Sequence, residues 1–186
     1  MPLELRTARI ADADAIARLV NKAYRPSAAQ KTGWTHEAHL ITGERATPEQ
    51  VAALFGEHSV ILLLGDGSQI VACVHVQGNP SDADKNADAS AYIGMLAVDP
   101  ALQTHGLGKE MLLHAEKYAA EKFRASVFKM SVISSRPELL AFYERRGYVL
   151  TGEIEEYPVS AGVGLPMVEG IHVLSLIKIR QRLNPK

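Results

Sequence analysis

Along residues 3–9 (LELRTAR) apolar and polar positions alternate, the two-residue period of an edge or half-buried strand. The period then lengthens: Ile16, Leu19, Val20, Ala23 and Tyr24 fall on one face of a helix, and Asp12 stands where its N-cap belongs. Thr47-Pro48-Glu49-Gln50 supplies a hydroxyl cap, a proline in the first turn and a glutamine three residues on, and Gly56 closes the segment. Together they predict a short helix over Thr47 to Phe55. A polar loop, 25–46, joins the two helices and carries the only tryptophan, Trp34. VILLL (60–64) and IVACVHVQ (70–77), linked through Gly65-Asp66-Gly67-Ser68, predict an antiparallel hairpin. NPSDADKNADAS (79–90) is loop by composition, and AYIGMLAV (91–98) is a central strand ending at Asp99-Pro100.

From Leu107 the apolar positions 107, 111, 112, 115, 118, 119 and 123 share one helix face, with Lys109, Glu110, His114, Glu116, Lys117, Glu121 and Lys122 on the other. SVFKMSVI (126–133) is the next strand. A helix opened by Ser135, Pro137 and Glu138 and closed by Gly147 turns Leu139, Leu140, Phe142 and Tyr143 inward. YVLTGEI and IHVLSLIKI are two more strands on either side of Tyr157 to Gly170, a stretch with glycine and proline. Strands and helices interleave with no break in composition, which reads as one α/β domain over residues 1–186.

The composition, 47% hydrophobic and 22% charged, suits such a domain. A chain of 186 residues buries about 70% of the surface its unfolded form exposes, enough to hold a core without disulfides or a structural metal. Twenty basic residues against 21 acidic ones leave no bulk field for a nucleic-acid backbone, so nucleic acid is not an expected partner. The longest apolar run, Val60 to Leu64, falls far short of the roughly 20 residues of a membrane span, and the charged N-terminus lacks a signal-like apolar stretch. The single cysteine, Cys73, rules out an internal disulfide and thiolate-cluster metal sites; within IVACV it reads as a small buried hydrophobe. A cytoplasmic protein, monomeric or homodimeric and without a metal, is the expectation.

The chemistry concentrates in residues 93–119. A strand runs out at Val98, a short loop crosses, and Gln103-Thr104-His105-Gly106-Leu107-Gly108 opens a long helix. Unpaired backbone N–H groups, a positive helix end and two residues without Cβ allow close approach of a phosphate or diphosphate. The segment is not a P-loop: Gln103 stands where its first glycine belongs, and Glu110 where Ser or Thr would hold magnesium. It is not the dinucleotide fingerprint either, because Met111 fills the third glycine position.

A strand ending M-L-A-V-D-P, a Q-x-x-G-x-G helix start, a further strand, and A-F-Y-E-R-R-G-Y some forty residues on together resemble the GNAT superfamily of acyl-CoA-dependent N-acyltransferases, over most of the chain. The resemblance implies a central mixed, mostly antiparallel sheet of six to seven strands flanked by about four helices, with acetyl-CoA as co-substrate. It implies that the strand backbone at Leu96, Ala97 and Val98 pairs with the pantetheine amides. The amides of Gln103, Thr104, His105, Gly106, Leu107, Gly108 and Lys109 would take the diphosphate. Tyr143, on residue pattern alone a core tyrosine beside Phe142, becomes by resemblance the general acid toward the departing thiolate. Arg136 departs from the family's usual asparagine and could reach a phosphate or carboxylate instead.

The implied reaction is direct attack by a primary amine on the thioester within a ternary complex; a catalytically silent CoA-binding sensor or scaffold is the alternative. Strand 91–98 carries no Asp, Glu or His to serve as base, which leaves Glu37, His75 and His172 as candidates, or loss of the amine proton to solvent. The acceptor, a small-molecule or peptide amine, is expected between the loop around Trp34 to His39 and the segment Tyr157 to Gly170. Trp34 would form an apolar wall, and Glu37, with Glu153 or Glu155, would attract the amine.

Overall fold

The computed structural model describes residues 2–27, 33–79 and 89–180; residues 28–32 of the polar loop and most of the expected 79–90 loop lie outside the described residues. The elements are β1 (Glu4–Thr7), α1 (Ala13–Tyr24), β2 (Ile41–Thr42), α2 (Pro48–Ala52), β3 (Ser59–Gly65), β4 (Ile70–Gly78), β5 (Ser90–Val98), α3 (Leu107–Lys122), β6 (Val127–Ile133), α4 (Pro137–Glu144), β7 (Val149–Glu156), β8 (Leu165–Pro166) and β9 (His172–Ile179). Seven strands make one sheet in the order β1-β3-β4-β5-β6-β9-β7, and β2 pairs with β8 separately. Every pairing in the large sheet is antiparallel except β5 with β6. This is the mixed, mostly antiparallel α/β architecture expected. No helix among the described residues is long and apolar enough to cross a membrane.

The run VILLL is apolar at consecutive positions because both faces of β3 are covered. Ile61 and Leu63, with Cys73 of β4, pack against Ile16, Leu19 and Val20 of α1 and Val51 of α2. Leu62 and Leu64, with Val74 and Val76, pack against Met111, Leu112 and Ala115 of α3. Helix α2 begins as expected, with Thr47 and Gln50 capping each other reciprocally, but its α-helical turns stop at Ala52. Asp12 does not cap α1. Its carboxylate holds both terminal nitrogens of Arg6 (2.8 Å each) and the Arg9 amide (2.7 Å), closing a 3-10 turn instead. Glu116, expected on the solvent face of α3, is 8% exposed. Lys178 (2.7 and 2.9 Å) and the Tyr148 hydroxyl (3.0 Å) pair it there, which offsets the cost of burying the charge.

The feature that positions the site is a split in the sheet. β5 pairs with β6 only at Ser90, Ala91 and Tyr92, so the backbone from Ile93 to Val98 is left without a partner on that side. On the other side, Gly94 pairs with His75 and Ala97 with Cys73, so Met95 and Leu96 are a bulge opposite Val74. Met95 adopts a left-handed backbone (φ 49°). A bulge bends its strand, and this one turns β5 away from β6 toward the start of α3.

Candidate active site

The turn after β5 is built by Asp99, whose carboxylate accepts from the Ala101 amide (3.0 Å) and from Lys22 (2.7 Å). Thr104 (φ 76°) and Gly106 (φ 84°) then take left-handed conformations that bring the chain into α3. A Cβ on Gly106 would meet nothing within 4 Å, so glycine serves the backbone angle there. At Gly108 a Cβ would make ordinary contact, 3.7 Å from Phe142 and 3.8 Å from Val98, both of which line the cavity in front with it. The first-turn amides of this 16-residue helix have no intrahelical acceptor, and the helix dipole adds positive potential.

In front of that helix end lies a cavity of about 250 Å³, lined by Trp34, Thr35, Leu96, Val98, Gln103, Thr104, Gly106, Gly108, Lys109, Leu139, Phe142, Tyr143 and Arg146. Its wall at Trp34 is held by two buried side chains. Gln103 accepts from the Trp34 amide (2.9 Å) and donates to Thr35 Oγ1 (2.8 Å) and the Val98 carbonyl (3.1 Å). Arg136 donates to the carbonyls of Thr35 (2.8 Å) and Trp34 (3.1 Å) and pairs with Glu138. Arg136 therefore stands behind the wall, with its guanidinium committed to backbone, and does not line the cavity; the expected reach to a phosphate is not what the structure gives it. Arg146, which the sequence reading passed over, does line it. Its guanidinium lies over the Phe142 ring at 3.5 Å, and its Nε is buried without a partner among the described residues, an orphan donor suited to an anionic ligand.

Not every expected cofactor residue presents a side chain here. Ala97 faces α1, Leu107 packs on the core, and His105 turns Nδ1 toward the carbonyls of Leu102 (3.2 Å) and Gln103 (3.1 Å). For Ala97 and Leu107 the side chain is turned into the core, whereas His105 is exposed.

A second cavity, about 270 Å³, is lined among others by Tyr24, Glu37, Arg45, Tyr92, Met95, Ile133, Glu155, Tyr157, Val163 and Val173. Leu96, Leu139 and Tyr143 line both cavities, so the two abut at Tyr143. The Tyr143 ring is fixed edge-on by Phe142 (5.1 Å) and Tyr148 (5.9 Å), while its hydroxyl has no hydrogen-bond partner among the described residues. Burial pushes its pKa well above that of a free phenol, so it is protonated at neutral pH.

The segment expected to cover the acceptor is tied down. β8 pairs with β2, the Met167 amide donates to the Leu40 carbonyl (2.8 Å), and both Tyr157 Oη (2.8 Å) and Arg25 (3.1 Å) bond the Val163 carbonyl. Tyr157, Pro158 and Val163 reach the second cavity, whereas Trp34 belongs to the first.

The candidate bases are placed elsewhere or already paired. Glu37 lines the second cavity, but Arg25 holds its carboxylate (2.7 and 3.1 Å) and Arg136 stands 3.9 Å away. His75 is buried against Ser59 Oγ (2.7 Å), burial lowers its pKa to about 4, and it lines neither cavity. His172 lies exposed at the start of β9 and lines neither. Cys73 is fully buried, and burial pushes its thiol up to about 12, so it is no nucleophile. Among the described residues no group of His, Cys, Asp or Glu is placed to hold a metal. A larger open cleft of about 810 Å³ is lined by, among others, Arg6 and Lys22, which pair with Asp12 and Asp99.

The sequence profile of the acetyltransferase (GNAT) family matches residues 15–148. The chain belongs to the GNAT family. It is an acetyl-CoA-dependent N-acetyltransferase, moving an acetyl group from acetyl-CoA to an amine. Among proteins of known activity it is similar to the S-alkylcysteine N-acetyltransferase of Bacillus subtilis (strain 168), 24% identical over 182 residues, 97% of this chain and 92% of that one. An N-acetyltransferase structure from Staphylococcus aureus Mu50 shares the fold with a TM-score of 0.68 at 13% identity, over 96% of this chain and 98% of that one. A Bacillus anthracis str. Ames acetyltransferase in complex with acetyl coenzyme A aligns over 68% of this chain and 65% of that one, with a TM-score of 0.51 at 17% identity.

Proposed function

We propose that the first cavity takes the pantetheine and diphosphate of acetyl-CoA, that the second takes a primary amine, and that the acetyl group passes between them at Tyr143. What carries this reading is the junction itself, where Leu96, Leu139 and Tyr143 line both cavities. The bound co-substrate supplies an acetyl carbon activated as a thioester. The unpaired edge of β5 at Leu96, Ala97 and Val98 offers backbone groups to the pantetheine amides. The carbonyls of Leu96 and Val98 each already accept one bond, from Tyr24 (2.6 Å) and Gln103 (3.1 Å), and each retains a second lone pair. The amides from Gln103 to Lys109 receive the diphosphate, with Lys109 and Arg146 adding charge.

Tyr143 acts on the leaving sulfur. Burial keeps its proton on, but the same burial makes it a weaker acid than a free phenol. Its first contribution is therefore a hydrogen bond to the developing thiolate. The proton passes to sulfur as the attacking nitrogen gains positive charge beside it, which lowers the phenol pKa at the moment it is needed; the nitrogen's surplus proton then leaves to solvent or to the phenolate, which regains its proton before the next turnover. Of the two carboxylates lining the second cavity, Glu37 is held by Arg25 and Glu155 lies on the exposed strand β7; neither is assigned as a base, and the amine enters the reaction already deprotonated by solvent. No covalent enzyme intermediate and no metal take part. The chain works as one domain, 1–186, in the cytoplasm, as a monomer or homodimer and without a nucleic-acid or membrane partner. Its sheet, running from Glu4 to Ile179, supports the single domain.

A crystal structure with CoA tests the assignment. The sulfur is expected about 3.5 Å from Tyr143 Oη, with the diphosphate on the amides of Leu107 to Lys109. A sulfur directed away from Tyr143 would overturn it.

A further inference from the structure

Three charged residues line the second cavity, and they are not equivalent. Glu37 is neutralised by Arg25 and Arg136. Glu155 lies on the exposed strand β7. Arg45 is half-buried and, among the described residues, has no carboxylate within ion-pair distance. Its backbone is fixed: Asn21 Oδ1 accepts from the amides of Arg45 (2.7 Å) and Ala46 (3.2 Å), and Asn21 donates to the Ala46 carbonyl (2.8 Å). Its guanidinium lies over the Tyr24 ring, 5.8 Å from the centroid. The hydroxyl of that tyrosine bonds the Leu96 carbonyl (2.6 Å), and Leu96 lines the junction. A cation without an ion-pair partner among the described residues thus lines the amine's cavity, over the ring whose hydroxyl holds Leu96.

A guanidinium there is unfavourable to an acceptor that carries only positive charge, because like charges repel strongly in a partly dehydrated cavity. It suits an acceptor bearing a carboxylate close to its amine, since a planar guanidinium takes a carboxylate through two parallel hydrogen bonds. In an α-amino acid only Cα separates the amine from the carboxyl carbon, so a single cavity lined by both Arg45 and Tyr143 can hold the two groups together. Most of the remaining wall, Ile133, Tyr157, Pro158, Val163 and Val173 among it, is apolar or aromatic, with Ser131 a polar exception. We infer that the acceptor is a free α-amino acid with an apolar side chain, and that Arg45 binds its carboxylate. This rests on the assignment of the second cavity to the amine.

The experiment compares L-methionine, L-methionine amide and 3-(methylthio)propylamine as acceptors, following thiol release from acetyl-CoA by the unmodified enzyme, Arg45→Gln and Arg45→Lys. The enzyme should prefer L-methionine to both carboxylate-free amines by tenfold or more in kcat/KM. Arg45→Gln should raise the KM for L-methionine about 10- to 100-fold, the range of a charge-assisted hydrogen bond, and bring the preference over the amide to about one. Arg45→Lys should recover part of it, and acetyl-CoA affinity should hold in both variants. Equal or better use of the amide, the pattern of a peptide N-terminus, would overturn the carboxylate anchor while leaving the transferase site in place. So would a preference that survives Arg45→Gln. Tight CoA binding with no thiol release from any of the three would remove the anchor and the amine assignment of the cavity together.

Discussion

Gly108 gives the sharpest handle on the cofactor site, because its environment separates folding from binding. A Cβ there would lie at ordinary contact distance from Phe142 (3.7 Å) and Val98 (3.8 Å), so Gly108→Ala should fold without strain. In a helix that change is worth roughly 0.5–1 kcal/mol of stability. Gly108→Val adds two methyl groups about 1.5 Å further out, and Phe142 and Val98 leave them only the cavity. A diphosphate displaced by that much loses its short contacts to the first-turn amides. Each charge-assisted hydrogen bond is worth about 1.5–3 kcal/mol, so losing two costs at least about 3 kcal/mol, or roughly 100-fold in Kd. Trp34 is the only tryptophan and lines the same cavity, so its fluorescence can report CoA binding directly. Titration of the three proteins, with thermal melts as a control on folding, should give a Gly108→Val Kd raised by about two orders of magnitude and an unimpaired Tm for Gly108→Ala. A folded Gly108→Val protein that binds CoA within threefold of the unmodified enzyme would refute the cradle.

Tyr143→Phe should lower kcat by roughly 10²- to 10⁴-fold with CoA affinity unchanged, since the ring still packs and only a proton donor is lost; near-normal turnover under chemistry-limited conditions would return Tyr143 to the core. Glu37→Ala strips the counter-charge from Arg25, whose side chain is 5% exposed, and leaves Arg136 with Glu138 alone; it should cost about 3–5 kcal/mol, a fall in Tm of about 10 °C. An unchanged Tm with turnover abolished would make Glu37 a reacting group instead. With neither Glu37 nor Glu155 acting as base at the acceptor cavity, kcat/KM should rise about tenfold per pH unit from pH 6 toward the pKa of the amine itself, because only the unprotonated amine attacks. A plateau near pH 7 would reveal a histidine at work.

The continuous apolar run 60–64, the capping box at Thr47 and the helical period of residues 107–123 are local signals, and they placed the central strands and helices. What escaped was decided by partners far along the chain. AYIGMLAV reads as an uninterrupted strand, and only its pairing with β4 exposes the bulge at Met95 and Leu96 that opens the site. Trp34 lines the cofactor cavity because Gln103 and Arg136, 69 and 102 residues away, hold its backbone. The two-residue ribbon of β2 with β8 is too short to leave a period, although it anchors the acceptor cover. Arg45 and Arg146 lie among residues that resemble ordinary surface cations, and burial alone distinguishes them. The glycine-bearing helix start and Tyr143 were visible as a motif, but their meeting at a shared junction required the fold.

That junction is the central claim, and initial-rate kinetics test it most directly. With acetyl-CoA and an amine bound side by side, thiol release measured over a grid of both concentrations should give intersecting double-reciprocal lines, and no thiol should appear without amine. Parallel lines, or a burst of thiol stoichiometric with enzyme in the absence of amine, would mean that the acetyl group is first transferred to the protein, and would contradict direct transfer between the two cavities.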